Sequence, residues 1–406
     1  MSTRAPTPSA AERLHALTAL LADVEDVLAH RVTAPEPPGW ATRRGWASFL
    51  AALSDDALVA CERRGPAAVL PTLPGVPAEL RELAERVTAR SALPAGEPAE
   101  RVPALRQASP RKRAQVAALA ALVRRWAPRT ERIVDLGAGK GHLTRALAEA
   151  LDLPAIGVER RDAVVRRARD LTFDARVRFV AGDAARDVAP GPSDLLVGLH
   201  ACGALGDALV ERAARTGAGA LLVSCCPQKA PGGVRAPRSS VGRTLGLTLD
   251  APLLGLANLA TVADGAPDAA AVMDRRRTRR ALYTLLRDAG ADLAPGDEAR
   301  GIHRRQFRRP LAELAPRAFA GRGLAAPSPA AIRDAERRAA VEHGRIRRFA
   351  LPRTMLARPL ELALVFDRAA ALAETGPAPH VLEAFDRRAS PRNVAILRGV
   401  GDGDAS

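Results

Sequence analysis

The chain has 406 residues, 61 Lys and Arg against 45 Asp and Glu, and a formal net charge of +16. With 47% apolar residues it can bury a large core, and its length leaves room for a domain of about 250 residues and a smaller one. The longest apolar stretch, near 251–263, is too short to span a bilayer, and four cysteines without paired spacing point to a reducing cytoplasm rather than a disulfide framework. Early acids (Glu12, Asp23, Glu25, Asp26) argue against a signal peptide.

Residues 1–105 read as a helical domain of their own. Leu14, Leu17, Leu20, Leu21 and Val24 recur at helical spacing, prolines punctuate 35–39 and 71–77, and a helix is expected near 79–90. Packing is the default role for this domain, with a lid or a substrate-docking module as alternatives. A linker is expected at 94–103. Ser109 and Pro110 then suit an N-cap and first-turn proline for a helix carrying Val116, Leu119, Leu122, Val123 and Trp126.

The most informative stretch follows. Ile133 and Val134 form a short strand that runs through Asp135 into a loop with Gly137, Gly139 and Gly141. A helix carrying Leu143, Ala146, Leu147, Ala150 and Leu151 on one face comes next. Strand, glycine turn and helix let a backbone approach a nucleotide-like ligand closely. The P-loop pattern is absent, because Val134 stands where its first glycine belongs and Gly141 follows Lys140. The loop reads G-x-G-x-G, not the dinucleotide G-x-G-x-x-G, with an acid two residues before the first glycine. That form is typical of methyltransferases using S-adenosylmethionine, a cofactor with no pyrophosphate to cradle.

Later strand ends carry polar groups at the edge where parallel α/β sheets bind ligands. Strand 155–158 ends in Glu159, suited to accept from both ribose hydroxyls, and strand 177–180 ends in Gly182 and Asp183, suited to accept from an adenine amine. Strand 195–199 ends in His200, Ala201, Cys202 and Gly203, and strand 221–223 in Ser224, Cys225, Cys226, Pro227, Gln228 and Lys229. The expected cofactor-binding set is Asp135, Gly137, Gly139, Lys140, Gly141, Glu159, Asp183 and His200. Candidate catalytic residues are His200, Cys202, Gln228 and Lys229. His200 can take a proton from a hydroxyl or amine, or can instead simply shape the wall beside the cofactor. No metal is predicted: His200, Cys202, Cys225 and Cys226 offer zinc-type donors, but adjacent cysteines lack the C-x-x-C spacing.

Lysine occurs only at 112, 140 and 229 in a chain dominated by Ala and Arg, which suggests positions where arginine does not fit. Lys112 lies in Ser109-Pro110-Arg111-Lys112-Arg113. Together with the Asp135–His142 loop, Leu199-His200-Ala201-Cys202-Gly203 and Cys225-Cys226-Pro227-Gln228-Lys229, it resembles the family containing methyltransferase-like protein 25. The methyltransferase half of the glutathione S-transferase C-terminal-domain-containing protein is a related case. Phe366-Asp367-Arg368 and Ser390-Pro391-Arg392-Asn393 resemble that family's closing motifs. Arg111, Gln115 and the Pro227-Gln228 pair depart from its usual residues, on the substrate side. The resemblance implies a Rossmann-like class I methyltransferase fold over 106–400 and S-adenosylmethionine as cofactor, without naming a substrate.

Charge is concentrated late in the chain. Residues 1–110 hold 12 arginines against 13 acids, whereas residues 271–350 hold 19 against 9. This basic insertion, about 232–355, is the candidate substrate region. Arg275, Arg276, Arg277, Arg279, Arg280, Arg304, Arg305, Arg308 and Arg309 can track a phosphate backbone, which puts RNA slightly ahead of protein as acceptor despite few aromatics. A helix over 361–374, closed by Gly376, and strands 381–385 and 394–397 complete a sheet of expected order 3-2-1-4-5-7-6. Arg392 and Asn393 either reach the site or organise the turn. A disordered tail is expected at 401–406. The alternative to an enzyme is a non-catalytic RNA-binding or assembly protein that retains the fold.

Overall fold

Ser109 takes extended backbone and its hydroxyl accepts the Lys112 amide at 3.2 Å, while Pro110 fills the first helical position, where no amide is needed. The computed structural model describes residues 8–96, 109–184, 186–224, 226–261, 269–294, 296–303, 305–387 and 389–400. The expected linker beyond Gly96, Cys225, Arg304 and the tail at 401–406 lie outside them. The longer helices are, in chain order, α1 (Ala10–Ala22), α2 (Asp55–Arg64), α3 (Ala78–Ser91), α4 (Pro110–Trp126), α5 (His142–Leu151) and α6 (Asp162–Asp170). They continue as α7 (Ala204–Thr216), α8 (Ala269–Asp288), α9 (Leu311–Ala320), α10 (Pro329–Met355) and α11 (Ala357–Ala373).

Seven strands form one sheet: β1 (Arg132–Leu136), β2 (Ala155–Glu159), β3 (Val177–Ala181), β4 (Asp194–Ala201), β5 (Gly219–Ser224), β6 (His380–Glu383) and β7 (Val394–Arg398). Their order is β3-β2-β1-β4-β5-β7-β6, as expected, with the first five parallel and β7 antiparallel to both neighbours. The fold is the Rossmann-like class I methyltransferase sheet. β1, β2, β4 and β5 are buried almost throughout, which is why they read as continuous apolar runs.

Strand bounds differ from expectation where a charge is buried. β7 extends to Arg398, whose guanidinium donates to the carbonyls of Leu372 (3.0 Å), Ala213 (2.6 Å) and Ala218 (2.5 Å) and to the Thr375 hydroxyl (3.1 Å). Four acceptors make its burial tolerable. β6 stops at Glu383, two residues early, because Ala384 and Phe385 turn toward Asn393: the Ala384 amide meets the Asn393 carbonyl at 2.7 Å and Asn393 Nδ2 donates to Phe385 O at 3.0 Å. Pro94 and Gly96, expected within the linker, bond to Glu383 through Glu383 N to Pro94 O (2.9 Å) and Gly96 N to Glu383 O (2.6 Å), and so cover the sheet's edge strand.

The helical regions also divide differently. One compact unit comprises 1–24, 87–263 and 356–406, and the other 25–86 and 264–355. Residues 1–105 are thus shared between the two units. α11 is buried along nearly its whole length, so it needs cover on more than one side, and α1 packs against it with Leu14, Leu17, Leu20 and Leu21. The second unit joins 25–86 to the later part of the basic insertion. Its core holds Leu282, Leu285, Leu286, Phe307, Leu314 and Phe319, and α8 runs antiparallel to α10, joined by Arg280 Nε to Glu342 (2.8 Å) and by an Arg338–Asp288 ion pair.

Candidate active site

The glycine loop is fixed at its base and open above. Gly137 and Ala138 donate to the Val158 carbonyl at 2.9 and 3.0 Å, tying the loop to the end of β2. All three glycines have positive φ (80°, 58° and 74°), yet they serve different ends. A Cβ on Gly141 would lie 2.2 Å from the Phe179 ring, whereas one on Gly139 would meet nothing within 4 Å. Gly141 admits a neighbouring side chain; Gly139 leaves space for a ligand.

Asp135 is buried beneath the loop, where its Oδ2 accepts the Thr144 hydroxyl at 2.6 Å. Burial pushes its pKa up to about 6, against the Thr144 hydrogen bonds and the charge of Lys112. Its resolved bond is to the first turn of α5, so it braces the loop. Glu159, 9% exposed, accepts from Arg161 N (3.2 Å) and Arg161 Nε (3.0 Å), and the nearby Gly139 amide adds slightly to the stabilisation of its charged form. Burial works to raise its pKa, but these bonds and the Arg161 charge outweigh it and hold the carboxyl below its usual value. The strand ends thus bring Glu159 and Gly139 together. Gly182 N donates to Glu159 O at 3.2 Å, which sets Asp183 beside them at the end of β3. Lys140 is exposed on the loop.

β4 carries an irregularity that no periodicity announced. Leu199 pairs with Val223 and Ala201 with Ser224, so His200 is an inserted bulge residue with φ of 63°. A non-glycine residue in that region is strained, and such strain is often found at functional sites. Cys202 Sγ lies 3.3 Å from His200 O. Burial, then the charges of Lys112 and Arg392, lower the His200 pKa to about 4, so its ring is neutral at physiological pH.

Lys112 and Arg392 therefore stand near enough to His200 for their charges to act on it. Gln115, one turn along α4 from Lys112, donates to Ala389 O at 3.2 Å, and Arg392 Nη2 donates to Asn258 Oδ1 at 3.1 Å. These bonds draw the first turn of α4 and the loop before β7 toward the end of β4. Their sequence signal was the retained lysine and the closing motif.

The β5 loop is held from below. A Cβ on Gly203 would lie 2.3 Å from the Lys229 carbonyl, so the turn Pro227–Lys229 sits directly on Gly203. Gln228 and Lys229 are exposed there and Cys226 is half-buried. Beneath them Arg368 donates to Asp207 (2.8 Å) and Ser224 (2.7 Å), and Arg235 pairs with Asp207 (3.0 Å) and Asp367 (2.8 Å). Asp367 also accepts from the amides of Arg238 and Ser239. Among the described residues no three His, Cys, Asp or Glu side chains gather as metal ligands.

The glycine loop, Glu159 and Asp183 thus stand at the ends of β1, β2 and β3, with His200 at the end of β4. Residues 111–230 match the family model described as a methyltransferase domain. No curated protein matches the chain. Solved structures similar to parts of it include DesVI of Streptomyces venezuelae, 18% identical over 30% of this chain and 56% of that one, with a TM-score of 0.24. YjhP of E. coli is 28% identical over 26% and 46%, with a TM-score of 0.22. Human N-acetylserotonin methyltransferase is 16% identical over 53% of each chain, with a TM-score of 0.21. The chain spans about half the length of these structures.

Four arginines of the expected phosphate track are engaged within their own unit. Arg277 pairs with Asp274 (3.1 Å), Arg279 with Glu298, Arg280 with Glu342 (2.7 Å) and Arg309 with Glu313 (3.7 Å). Among the described residues no helix is long and apolar enough to cross a membrane.

Proposed function

We propose that the sheet-bearing unit is an S-adenosylmethionine-dependent methyltransferase. The observation that carries this reading is the Glu159 carboxylate set near the Gly139 amide, beside a loop face with room for a ligand. Glu159 would accept from the ribose hydroxyls, Asp183 from the adenine amine, and the Gly137–Gly141 loop would hold the ribose and amino-acid tail. The cofactor supplies a methyl group on a sulfonium sulfur, an electrophile that needs an in-line nucleophile rather than a compulsory base. An acceptor that brings negative charge would offset Lys112 and Arg392 and raise the His200 pKa, letting the ring take the proton that a hydroxyl or amine releases. Cys202, Gln228 and Lys229 line the acceptor side, and Lys112 and Arg392 favour an acceptor that brings negative charge near His200.

Kinship with the family of methyltransferase-like protein 25 is part of the same proposal, as are a cytoplasmic setting and RNA ahead of protein as acceptor. The RNA reading now rests on the arginines that make no internal pair, not on the whole basic segment. The test is transfer of a tritiated methyl group from S-adenosylmethionine to RNA and protein fractions of cells lacking this protein. Label in one fraction, reduced by His200→Asn without loss of S-adenosylhomocysteine binding, is expected. Cofactor binding with no label in any fraction would favour the non-catalytic alternative.

A further inference from the structure

The second unit holds a cluster of cations that its own acids do not balance. Two contacts, Arg280 with Glu342 and Arg338 with Asp288, set the antiparallel register of α8 against α10. One turn before Arg280 on the same face stands Arg276, and the register places it opposite 346–347 on α10, where Arg347 projects. His343 lies one turn from Arg347 on that helix. Arg347 is bidentate to Glu62 of α2, at 2.8 and 2.5 Å. Arg31 and Arg275 complete the group, since their charges, with that of Arg347, act on Arg276. Glu62 is the acid acting on both Arg276 and His343, and it is already paired. Among the described residues Arg276 makes no ion pair, and it is solvent-accessible.

Four guanidiniums and an imidazole surround Glu62, and the other acid acting on Arg347, Asp55, is itself engaged by Arg348 at 2.7 Å, so the arrangement is in need of an anion. A single carboxylate would leave most of that charge uncompensated. A phosphate group offers three or more oxygens and up to two charges, matched to several guanidinium forks at once. We propose that Arg31, Arg275, Arg276, His343 and Arg347 form a phosphate-binding site in the helical unit, separate from the methyl-transfer pocket. The proposal does not depend on the methyltransferase reading, because no residue of the sheet-bearing unit contributes to it.

His343 supplies an independent readout. Burial, then Arg347 and Arg276, lower its pKa to about 4; Glu62 opposes this weakly and Arg277 adds to it. A bound phosphate reverses the local field, so the imidazole pKa rises on binding. Affinity then strengthens as pH falls from 7.5 toward 6, where the added proton stays on the complex.

The experiment uses the full chain with two probes, a fluorescein-labelled single-stranded RNA followed by anisotropy, and tripolyphosphate as competitor. Arg276→Ala is compared with Arg309→Ala, which removes the same charge from the same unit at an exposed pair with Glu313. Arg276→Ala should weaken binding about tenfold, with a salt slope smaller by about one, while Arg309→Ala changes it less than about twofold. Arg276→Ala should also melt no lower than the parent without ligand, because it relieves like-charge repulsion. RNA binding that tripolyphosphate displaces points to RNA phosphates; tripolyphosphate stabilisation alone, lost in Arg276→Ala, points to a free oligophosphate. Equal effects of the two substitutions, no binding of either probe at 0.15 M salt, or a lowered melting temperature for Arg276→Ala would overturn the proposal.

Discussion

The Arg368 guanidinium lies 2.8 Å from the Asp207 carboxylate, with both side chains almost wholly buried, and its other arm reaches Ser224 at the end of β5. One residue of α11 thereby links the start of α7 to the strand whose loop covers Gly203. Burial raises the Asp207 pKa, but Arg368 and Arg235 outweigh it and hold it down to about 2.

Replacing Arg368 with Met leaves Asp207 and Asp367 sharing too few cations in a dry interior. Breaking such a pair costs about 3–5 kcal/mol, so a large fall in denaturant midpoint is expected by circular dichroism. Arg368→Lys should recover only part of it, since an ammonium cannot bridge Asp207 and Ser224 as the fork does. A midpoint unchanged in Arg368→Met would contradict the role given to this network.

Gly139 and Gly141 should behave oppositely when each becomes Ala. Both substitutions carry the left-handed penalty of about 1–2 kcal/mol. Gly141→Ala also drives a methyl into Phe179 and should fail to fold or melt far lower. Gly139→Ala should fold, yet bind S-adenosylhomocysteine at least about tenfold more weakly, because the methyl occupies the ligand's space. Calorimetry beside thermal melts separates the two outcomes.

Burial lifts the Asp135 carboxyl to a folded pKa of about 6, well above the ordinary value of 3.8. A raised acid pKa means the folded state holds the proton more tightly, so this group favours folding at low pH and opposes it as pH rises through 6. Asp135→Asn should therefore raise stability near pH 7, by on the order of 2 kcal/mol, while its amide oxygen still accepts from Thr144. The gain should shrink as pH falls toward 4. Melting curves at pH 5 and pH 7.5 check the sign.

His200 shifts in the other direction. Its folded pKa of about 4 lies below the ordinary 6.5, so its contribution is fully present above 6.5 and is lost as pH falls toward 4. His200→Asn keeps a side chain that tolerates positive φ and removes the titration. The variant should lose less stability than the parent between pH 6.5 and pH 4, and its methyl transfer at pH 7.5 should drop by about 10²- to 10⁴-fold if the imidazole takes the acceptor's proton.

Much of the sheet was legible because parallel strands are apolar on both faces and each ends in a distinctive polar cluster. Asp135, Glu159 and the glycines could be placed from such ends alone. The division of the helices was not legible: 25–86 and 264–355 are far apart in sequence, and an amphipathic stripe does not name the surface that covers it. Buried charges were hidden for a related reason. Arg398 and Asp367 look like exposed residues until carbonyls and amides from distant segments surround them. The His200 bulge depends on the register of β4 against β5, a property of two strands that neither reveals alone. The different duties of Gly139 and Gly141 follow from where Phe179 of β3 lies.

The most direct measurement is calorimetric titration of the purified chain with S-adenosylhomocysteine, repeated with Glu159→Ala. One site per chain, weakened at least about tenfold by the substitution while the melting curve stays cooperative, is the predicted result. A folded parent protein that takes up no S-adenosylhomocysteine, or a Glu159→Ala variant that binds it as well as the parent, would contradict the account.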